Sequence, residues 1–140
     1  METKLTAKDL MIGDWVLCVD STHKNKTYAQ IDAIEEGQMC ILVKKDKCNW
    51  FLDISYIEAI PLTAEILDKN FEQHPFDDYP YYDIKNDLHI RNAYDSIYLA
   101  QWIDTDTSLY QVPHYILDIN YIHELQHILH QLGLNKEIVL

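Results

Sequence analysis

Apolar residues in the first sixty positions recur in short runs, with polar turns such as Glu35-Glu36-Gly37-Gln38 between them. Runs of this length, rich in Val, Ile, Tyr and Trp and bounded by turn residues, are typical of β-strands. The runs cover residues 15–19, 28–34, 39–43, 50–52 and 56–60. Short strands at such regular spacing predict a small N-terminal SH3-like bent sheet or barrel.

A short helix and a helix-breaking segment follow. Thr63 can cap a helix that runs to Lys69, because its hydroxyl can accept from a free amide of the first turn. The dipeptides His74-Pro75 and Tyr79-Pro80 then disfavour helix at the residue before each proline. We therefore predict a small β-barrel-like half, residues 1–61. Residues 62–140 would hold the linking helix, an antiparallel sheet and a C-terminal helix, packed as one unit.

The pattern of the second half predicts an antiparallel meander followed by a helix. Predicted strands cover residues 81–84, 88–91, 97–102 and 109–112, and the helix covers 118–133. At about 100° per residue, the apolar residues of that helix fall on one stripe, which we expect to lie over the sheet. The stripe comprises Tyr121, Ile122, Leu125, Ile128, Leu129 and Leu132. The whole pattern predicts an α+β fold.

The closing helix carries the pattern His123-Glu124-x-x-His127. In a zinc hydrolase, two histidines at this spacing bind one Zn²⁺ and the glutamate activates the bound water. A catalytic zinc needs a third protein ligand. The continuation past His127 does not fit the metzincin extension. The one acid that follows is Glu137, too close for the downstream glutamate of a gluzincin.

The helix geometry also argues against catalysis. His123, His127 and His130 lie almost opposite the apolar stripe, which predicts a solvated or partner-facing helix surface. We therefore predict no catalytic residue and no cofactor. Two alternatives stay open. One is a zinc-dependent hydrolase with Glu124 as base and these three histidines as metal ligands. The other is metal binding without hydrolysis, since histidines four residues apart can chelate.

Charge and composition narrow the function further. The chain carries 23 acidic residues against 11 Lys and Arg, a net charge of −12. A field of that sign repels phosphate backbones and steers a protein toward basic surfaces, although many acidic proteins are acidic merely for solubility. A third hypothesis is a nucleic-acid-binding barrel, which would use a local group of lysines. They are Lys24, Lys26, Lys44, Lys45 and Lys47.

The expected compartment is the cytoplasm. No apolar run is long enough to span a membrane, and the first residues do not resemble a signal peptide. Cys18, Cys40 and Cys48 are an odd number without a Cys-x-x-Cys pair, which indicates reduced thiols.

Tyrosine is concentrated in the second half. Eight of the 10 tyrosines lie between Tyr79 and Tyr121, and the densest stretch interleaves them with acids. Tyrosine is enriched where proteins bind proteins, and neighbouring carboxylates complement Arg or Lys on a partner. Half-buried strand tyrosines are the alternative interpretation. The predicted partner-binding residues are Asp77, Asp78, Tyr79, Tyr81, Tyr82 and Asp83.

Three short motifs carry a resemblance. They are Ile12-Gly13-x-x-Val16, Ile60-Pro61-Leu62-Thr63-x-Glu65 and the closing Tyr121-Ile122-His123-x-Leu125-Gln126. In them the chain resembles a family of small uncharacterised proteins from Bacteroides-type bacteria, their mobile elements and phages. In that family the positions equivalent to Glu124 and His127 are often Gln and Asn, which implies no protease.

The resemblance and the charge together suggest a non-enzymatic acidic interaction protein. Its most concrete form is a phage or prophage anti-defence protein, comparable to anti-CRISPR inhibitors. Such a protein would dock on the basic nucleic-acid-binding surface of a host defence protein, without contacting nucleic acid or membrane itself.

Overall fold

The computed structural model describes the chain except residues 1–4, 7–8, 20–21, 23–24, 36–39, 46–47, 105–110 and 135; for 35, 40–45 and 48–51 only the backbone is described. Ten strands are assigned within these residues: β1 Trp15–Val19, β2 Lys26–Glu35, β3 Cys40–Lys45, β4 Cys48–Asp53, β5 Ile57–Glu58, β6 Gln73–His74, β7 Tyr81–Lys85, β8 Leu88–Ala93, β9 Ser96–Asp104 and β10 Gln111–Asp118. The helices are α1 Ala64–Asn70 and α2 Ile122–Gln131. The fold is α+β, as the sequence predicts.

The chain divides into two compact units. The first comprises Met1–Ile60 with Tyr121–His123, and the second comprises Pro61–Asn120 with Glu124–Leu140. Each unit contains one five-stranded antiparallel sheet.

The first sheet has the strand order β4-β3-β2-β1-β5. A register shift between Ile31 and Ala33 bends β2 where it pairs with β3. Strands β4 and β5 form the two edges, so the sheet is bent but open and the barrel alternative does not hold. One face buries an apolar cluster made of Leu10, Val16, Cys18, Ala29, Ile31, Ile54 and Ile57.

The second sheet has the strand order β10-β9-β8-β7-β6, the predicted meander with one short strand added at its edge. Residues directly opposite each other on paired strands share a face of the sheet. The register therefore places Tyr82, Ile90 and Leu99 on one face, and all three are buried. We call this the helix face, because the Tyr82 hydroxyl donates to Asp68 of α1 at 2.6 Å.

The opposite face, which we call the aromatic face, carries a different set of side chains. The same register places Tyr81, His89, Arg91, Ala100 and Trp102 there. The central strand β8 is consequently buried on both sides: Ile90 is buried on the helix face, while His89 and Arg91 are buried on the aromatic face.

Both helices have identifiable terminal contacts. The Thr63 hydroxyl accepts from the Ile66 amide at 3.4 Å, which confirms the predicted N-cap of α1. At the end of α2, Gly133 adopts a φ of 74°, a left-handed conformation that favours glycine at this position. The Nζ of Lys85 donates to the Leu132 carbonyl at 2.7 Å and so satisfies a helix-end acceptor.

The predicted boundary between the last strand and the last helix is wrong by several residues. The sequence predicts a strand over 109–112 and a helix from 118, whereas β10 continues to Asp118 and α2 begins at Ile122. Beyond β10, the Ile119 amide donates to the Ile97 carbonyl at 2.8 Å. Pairing with β9 thus holds this segment extended despite its helical periodicity.

Candidate functional site

His123 does not lie on an exposed helix surface, contrary to the sequence-based prediction. It is 5% exposed and its ring stacks on Tyr121, with centroids 5.8 Å apart. It occupies the first turn of α2, where the Ile122 amide donates to the Ile60 carbonyl. A helical wheel predicts one buried stripe. The Tyr121 ring, in the segment that leads into the helix, stacks on His123 and helps to bury this residue opposite the stripe.

The rest of the motif is less enclosed. His127 is half-buried and His130 is exposed, so the predicted orientation holds for His130. Ile122, Leu125 and Leu129 are buried, which confirms the predicted apolar stripe at these positions.

Glu124 acts at the start of the helix. Its Oε1 accepts a hydrogen bond from the Asn120 amide at 3.0 Å. A glutamate in the first turn that reaches back to a preceding amide resembles one half of a capping box. The carboxylate therefore has a structural role that does not depend on any metal.

The described residues contain no group of three or more His, Cys, Asp or Glu side chains arranged to hold a metal ion. His123, His127 and His130, the alternative ligands, therefore do not form such a group in the part of the chain that the structure describes. The zinc hydrolase stays a prediction that metal analysis can test.

The acidic tyrosine segment is only partly available to a partner. Asp77, Asp78 and Asp83 are exposed, and Tyr79 and Tyr81 are half-buried. Tyr82 is fully buried on the helix face, so its assignment to a contact surface is corrected. Burial and the hydrogen bond to Asp68 raise the pKa of Tyr82, which keeps its hydroxyl protonated as a donor.

A second turn joins the exposed part of this segment. Tyr94 and Asp95 form the two-residue connection between β8 and β9, and the Tyr94 ring contacts that of Tyr79 at 4.9 Å. Tyr94 is 76% exposed, and Asp95 is exposed as well. We call Asp77, Asp78, Tyr79, Tyr94 and Asp95 the acidic tyrosine patch.

The sequence indicated only three of the five patch residues. Tyr94 and Asp95 lie outside the predicted segment, residues 77–83, and only the β8–β9 hairpin brings them next to Tyr79. The sequence feature that indicates these two residues is their position as a Tyr-Asp pair between two predicted strands, where the tip of a turn is expected.

A third group of side chains fills the aromatic face, and Tyr81 is its only member among the residues predicted from the sequence. Residues 75–80, which connect β6 to β7, bring Phe76 against Trp102 with centroids 4.9 Å apart. Trp102 also stacks on His89 at 4.4 Å, and the Tyr81 ring meets the edge of both. We call Phe76, Tyr81, His89 and Trp102 the aromatic cluster.

His89 is the titratable member of this cluster. It is 0% exposed, and neither ring nitrogen makes a hydrogen bond of good geometry in the described part of the chain, although the Asp87 backbone lies close enough to affect its pKa. Burial lowers the pKa of His89, and the Arg91 charge lowers it further, while a backbone contact with Asp87 and the Asp83 carboxylate act in the opposite direction. The imidazole is therefore held neutral near pH 7.

An open groove of about 550 Å³ lies elsewhere on the second unit. Its lining mixes charges of both signs and places the Lys136 ammonium over the Phe71 ring at 5.0 Å. The groove is bordered by Asn70, Phe71, Glu72, Asp83, Ile84, Leu134 and Lys136.

No protein-family model, curated protein or solved structure has significant similarity to this chain. The resemblance to the Bacteroides-type family therefore stays a prediction. In the described ranges, no helix combines the length and apolar character required to cross a lipid bilayer. The structure defines an α+β protein of two open antiparallel sheets.

Proposed function

We propose that this protein is a non-enzymatic cytoplasmic interaction protein that binds a basic protein surface through its acidic tyrosine patch. The observation that carries the proposal is Tyr94. Its ring is largely exposed at the tip of a hairpin, and its backbone has a φ of 54°. The left-handed region costs about 1–2 kcal/mol for a residue with a Cβ atom. Gly or Asn is the usual residue at such a tip.

Asp95 has the same unfavourable backbone conformation. Its φ is 61°, so both central residues of this turn are left-handed without a glycine. Strained residues persist where the surroundings or a function require them. An exposed tyrosine and an exposed aspartate at a strained tip supply what a contact surface needs, namely a flat ring and a carboxylate that extend into solvent.

The chemistry of the patch favours a cationic partner. It presents three carboxylates and two tyrosine rings, and none of its five residues is basic. Residues 71–140 carry 11 acids against Lys85, Arg91 and Lys136, so the wider field has the same sign. Arginine suits such a surface better than lysine, because its planar guanidinium stacks on a ring while it pairs with a carboxylate.

The most concrete partner is the nucleic-acid-binding surface of a host defence protein. Such a surface is rich in Arg and Lys because it neutralises phosphates. An acidic patch that occupies it would compete with nucleic acid without binding nucleic acid itself. A phage or mobile-element origin of the gene would be consistent with this role and rests on the resemblance alone.

Binding of a defined basic peptide tests the proposal. Fluorescence anisotropy with labelled nona-arginine should show saturable binding that weakens as salt rises, since exposed charge pairs are screened. Tyr94→Ala should weaken binding about fivefold, which corresponds to about 1 kcal/mol of lost stacking on a guanidinium. Nona-lysine should bind the unaltered protein more weakly than nona-arginine.

Tyr28→Ala is the matched control, because Tyr28 is an exposed tyrosine of the first sheet. It should leave binding unchanged. Equal losses in the two variants, or equal binding of the two peptides, would contradict the assignment of the patch. For the defence-protein version, a partner captured from host lysate should be released by added double-stranded DNA.

A further inference from the structure

Arg91 is the only arginine in the sequence, in a chain with 23 acidic residues. It is 7% exposed, and no ion pair joins it to a carboxylate within the described ranges. Its buried Nε has no hydrogen-bond partner there, and the guanidinium lies over the Phe76 ring at 4.8 Å. A largely buried arginine usually has an anionic or polar partner, because desolvating a charge without one is costly.

His89, two residues earlier on the same face, is also buried with nitrogen atoms that lack a well-formed hydrogen bond among the described residues. His89 packs against Tyr81 and Trp102, and Arg91 packs against Phe76, so two buried side chains of one strand face lie beneath neighbouring aromatic rings. Buried polar groups without partners are rare in folded proteins, and each one requires an explanation such as an absent ion or ligand. Packing alone would be served better by apolar residues of similar shape.

We propose that His89 and Arg91 form a binding site for a small oxyanion, the carboxylate or phosphate group of a small molecule. The guanidinium would supply the positive charge and the neutral imidazole one N–H donor. Phe76, Tyr81 and Trp102 would flank the group to which the oxyanion is attached, so a flat ligand fits best. A polyanion is excluded as occupant, because the net charge of −12 repels an extended phosphate backbone.

Access to the site involves the segment 75–80. This segment carries Phe76, which lies on the guanidinium, and it begins and ends with proline. Phe76, Tyr81 and Trp102 are only half-buried, in contrast to His89 beneath them. Displacement of the Phe76 ring would expose the guanidinium while the paired strands stay intact. The exposed Asp83 on this face is directed to His74, at 3.7 Å.

The single arginine makes the test direct, because the protein has one arginine Nε–H signal in a ¹H–¹⁵N spectrum. The full-length protein is titrated with inorganic phosphate, acetate and benzoate, and with sodium chloride at matched ionic strength. We expect the Arg91 Nε–H signal to shift saturably with an oxyanion and not with chloride. Phosphate and acetate distinguish the two oxyanion classes. Benzoate should bind more tightly than acetate if the rings contribute.

Variants separate a ligand site from a packing role. His89→Phe keeps a ring on Trp102 and keeps the Arg91 signal, and it should weaken oxyanion binding about tenfold through loss of one donor to a charged group. Lys136→Met, which removes a cation elsewhere on the same unit, should bind like the unaltered protein. A signal that follows chloride equally, or unchanged binding in a correctly folded His89→Phe protein, would overturn the proposal. The comparison with chloride needs only the unaltered protein.

Discussion

The Asn70 side chain binds both backbone groups of Val139, 69 residues further along the chain. Its Oδ1 accepts the Val139 amide at 2.6 Å, and its Nδ2 donates to the Val139 carbonyl at 2.8 Å and to the Ile66 carbonyl at 2.7 Å. Because the residue is buried, Asn70→Ala leaves these groups without partners. We expect the free energy of unfolding to fall by about 2–3 kcal/mol.

Denaturant unfolding measures this loss, and hydrogen exchange locates it. The amides of residues 136–140 should lose protection before those of β8. Gln101→Ala removes an exposed carboxamide from the same unit and should change stability by less than about 0.5 kcal/mol. Similar losses in the two variants would show that the contact with Val139 contributes little.

Stability should depend on pH through His89. Burial lowers its pKa in the folded state below the ordinary value of about 6.5. The unfolded chain therefore binds the proton first as pH falls. The contribution of this group is complete above about pH 6.5 and is lost as pH falls toward the lower pKa of the folded state, by at most about 1.4 kcal/mol per pH unit.

Urea unfolding between pH 7.5 and pH 5 tests this prediction. His89→Phe should be more stable than the unaltered protein by about 1 kcal/mol at pH 7, because it removes two buried unsatisfied nitrogens. It should also flatten the pH profile. His130→Gln changes an exposed histidine and should leave the profile as it is. A His89→Phe profile as steep as the original would assign the acid sensitivity to another group.

Lys85 should stabilise the end of α2. Its Nζ donates to the Leu132 carbonyl at 2.7 Å, where a positive charge also complements the helix dipole. Lys85→Met keeps the aliphatic stem and should lower the free energy of unfolding by about 0.5–1 kcal/mol. The loss should shrink in high salt. Lys69→Met, at an exposed position of α1, has no such contact among the described hydrogen bonds and serves as the control.

Pro113 should keep β10 from pairing with another chain. Pro113 lies opposite Trp102 of β9, and the Trp102 amide points away from β10, since it donates to the Asp87 carbonyl. The Ile97 carbonyl, by contrast, points toward the β10 side, since it accepts from the Ile119 amide. Pro113 and Trp102 are therefore a pair without mutual hydrogen bonds, and the backbone of Pro113 points away from β9. No described strand pairs with that outer edge. A proline at this position has no amide hydrogen to donate, so another strand pairs less well with this exposed edge, which carries apolar side chains.

Pro113→Val restores an outward amide and adds a good strand former. We expect self-association that increases with concentration in analytical ultracentrifugation. Gln111→Val adds the same side chain two residues earlier without adding an amide, and it should stay closer to the unaltered protein. If both variants associate equally, the added apolar side chain rather than the restored amide causes the self-association.

The fold followed from periodicity more closely than the site did. Alternating and buried runs identified β1, β7 and β8, and the Thr63 cap fixed the start of α1, because these features depend on neighbouring residues. The start of α2 could not be predicted in this way, since the bond from Ile119 to Ile97 joins distant parts of the chain.

Burial of individual side chains shows the same limit. A helical wheel considers one helix alone and so predicts His123 in solvent, whereas the residue is buried. Strand alternation does not say which face of a sheet is covered, so it does not separate the buried Tyr82 from its exposed neighbours. The meeting of Tyr79 with Tyr94 depends on two turns that are apart in sequence. Only Asp77, Asp78 and Tyr79 of the patch were within reach of local reasoning.

The solitary guanidinium on β8 has a practical consequence for proteolysis. An arginine-specific protease has one bond to cut, between Arg91 and Asn92, and that bond lies in the central strand of a sheet. Cleavage requires an extended segment freed from its neighbours, so the native chain should resist until this sheet opens. The appearance of two fragments then reports the opening of one unit alone, and a molecule that stabilises that unit should delay them.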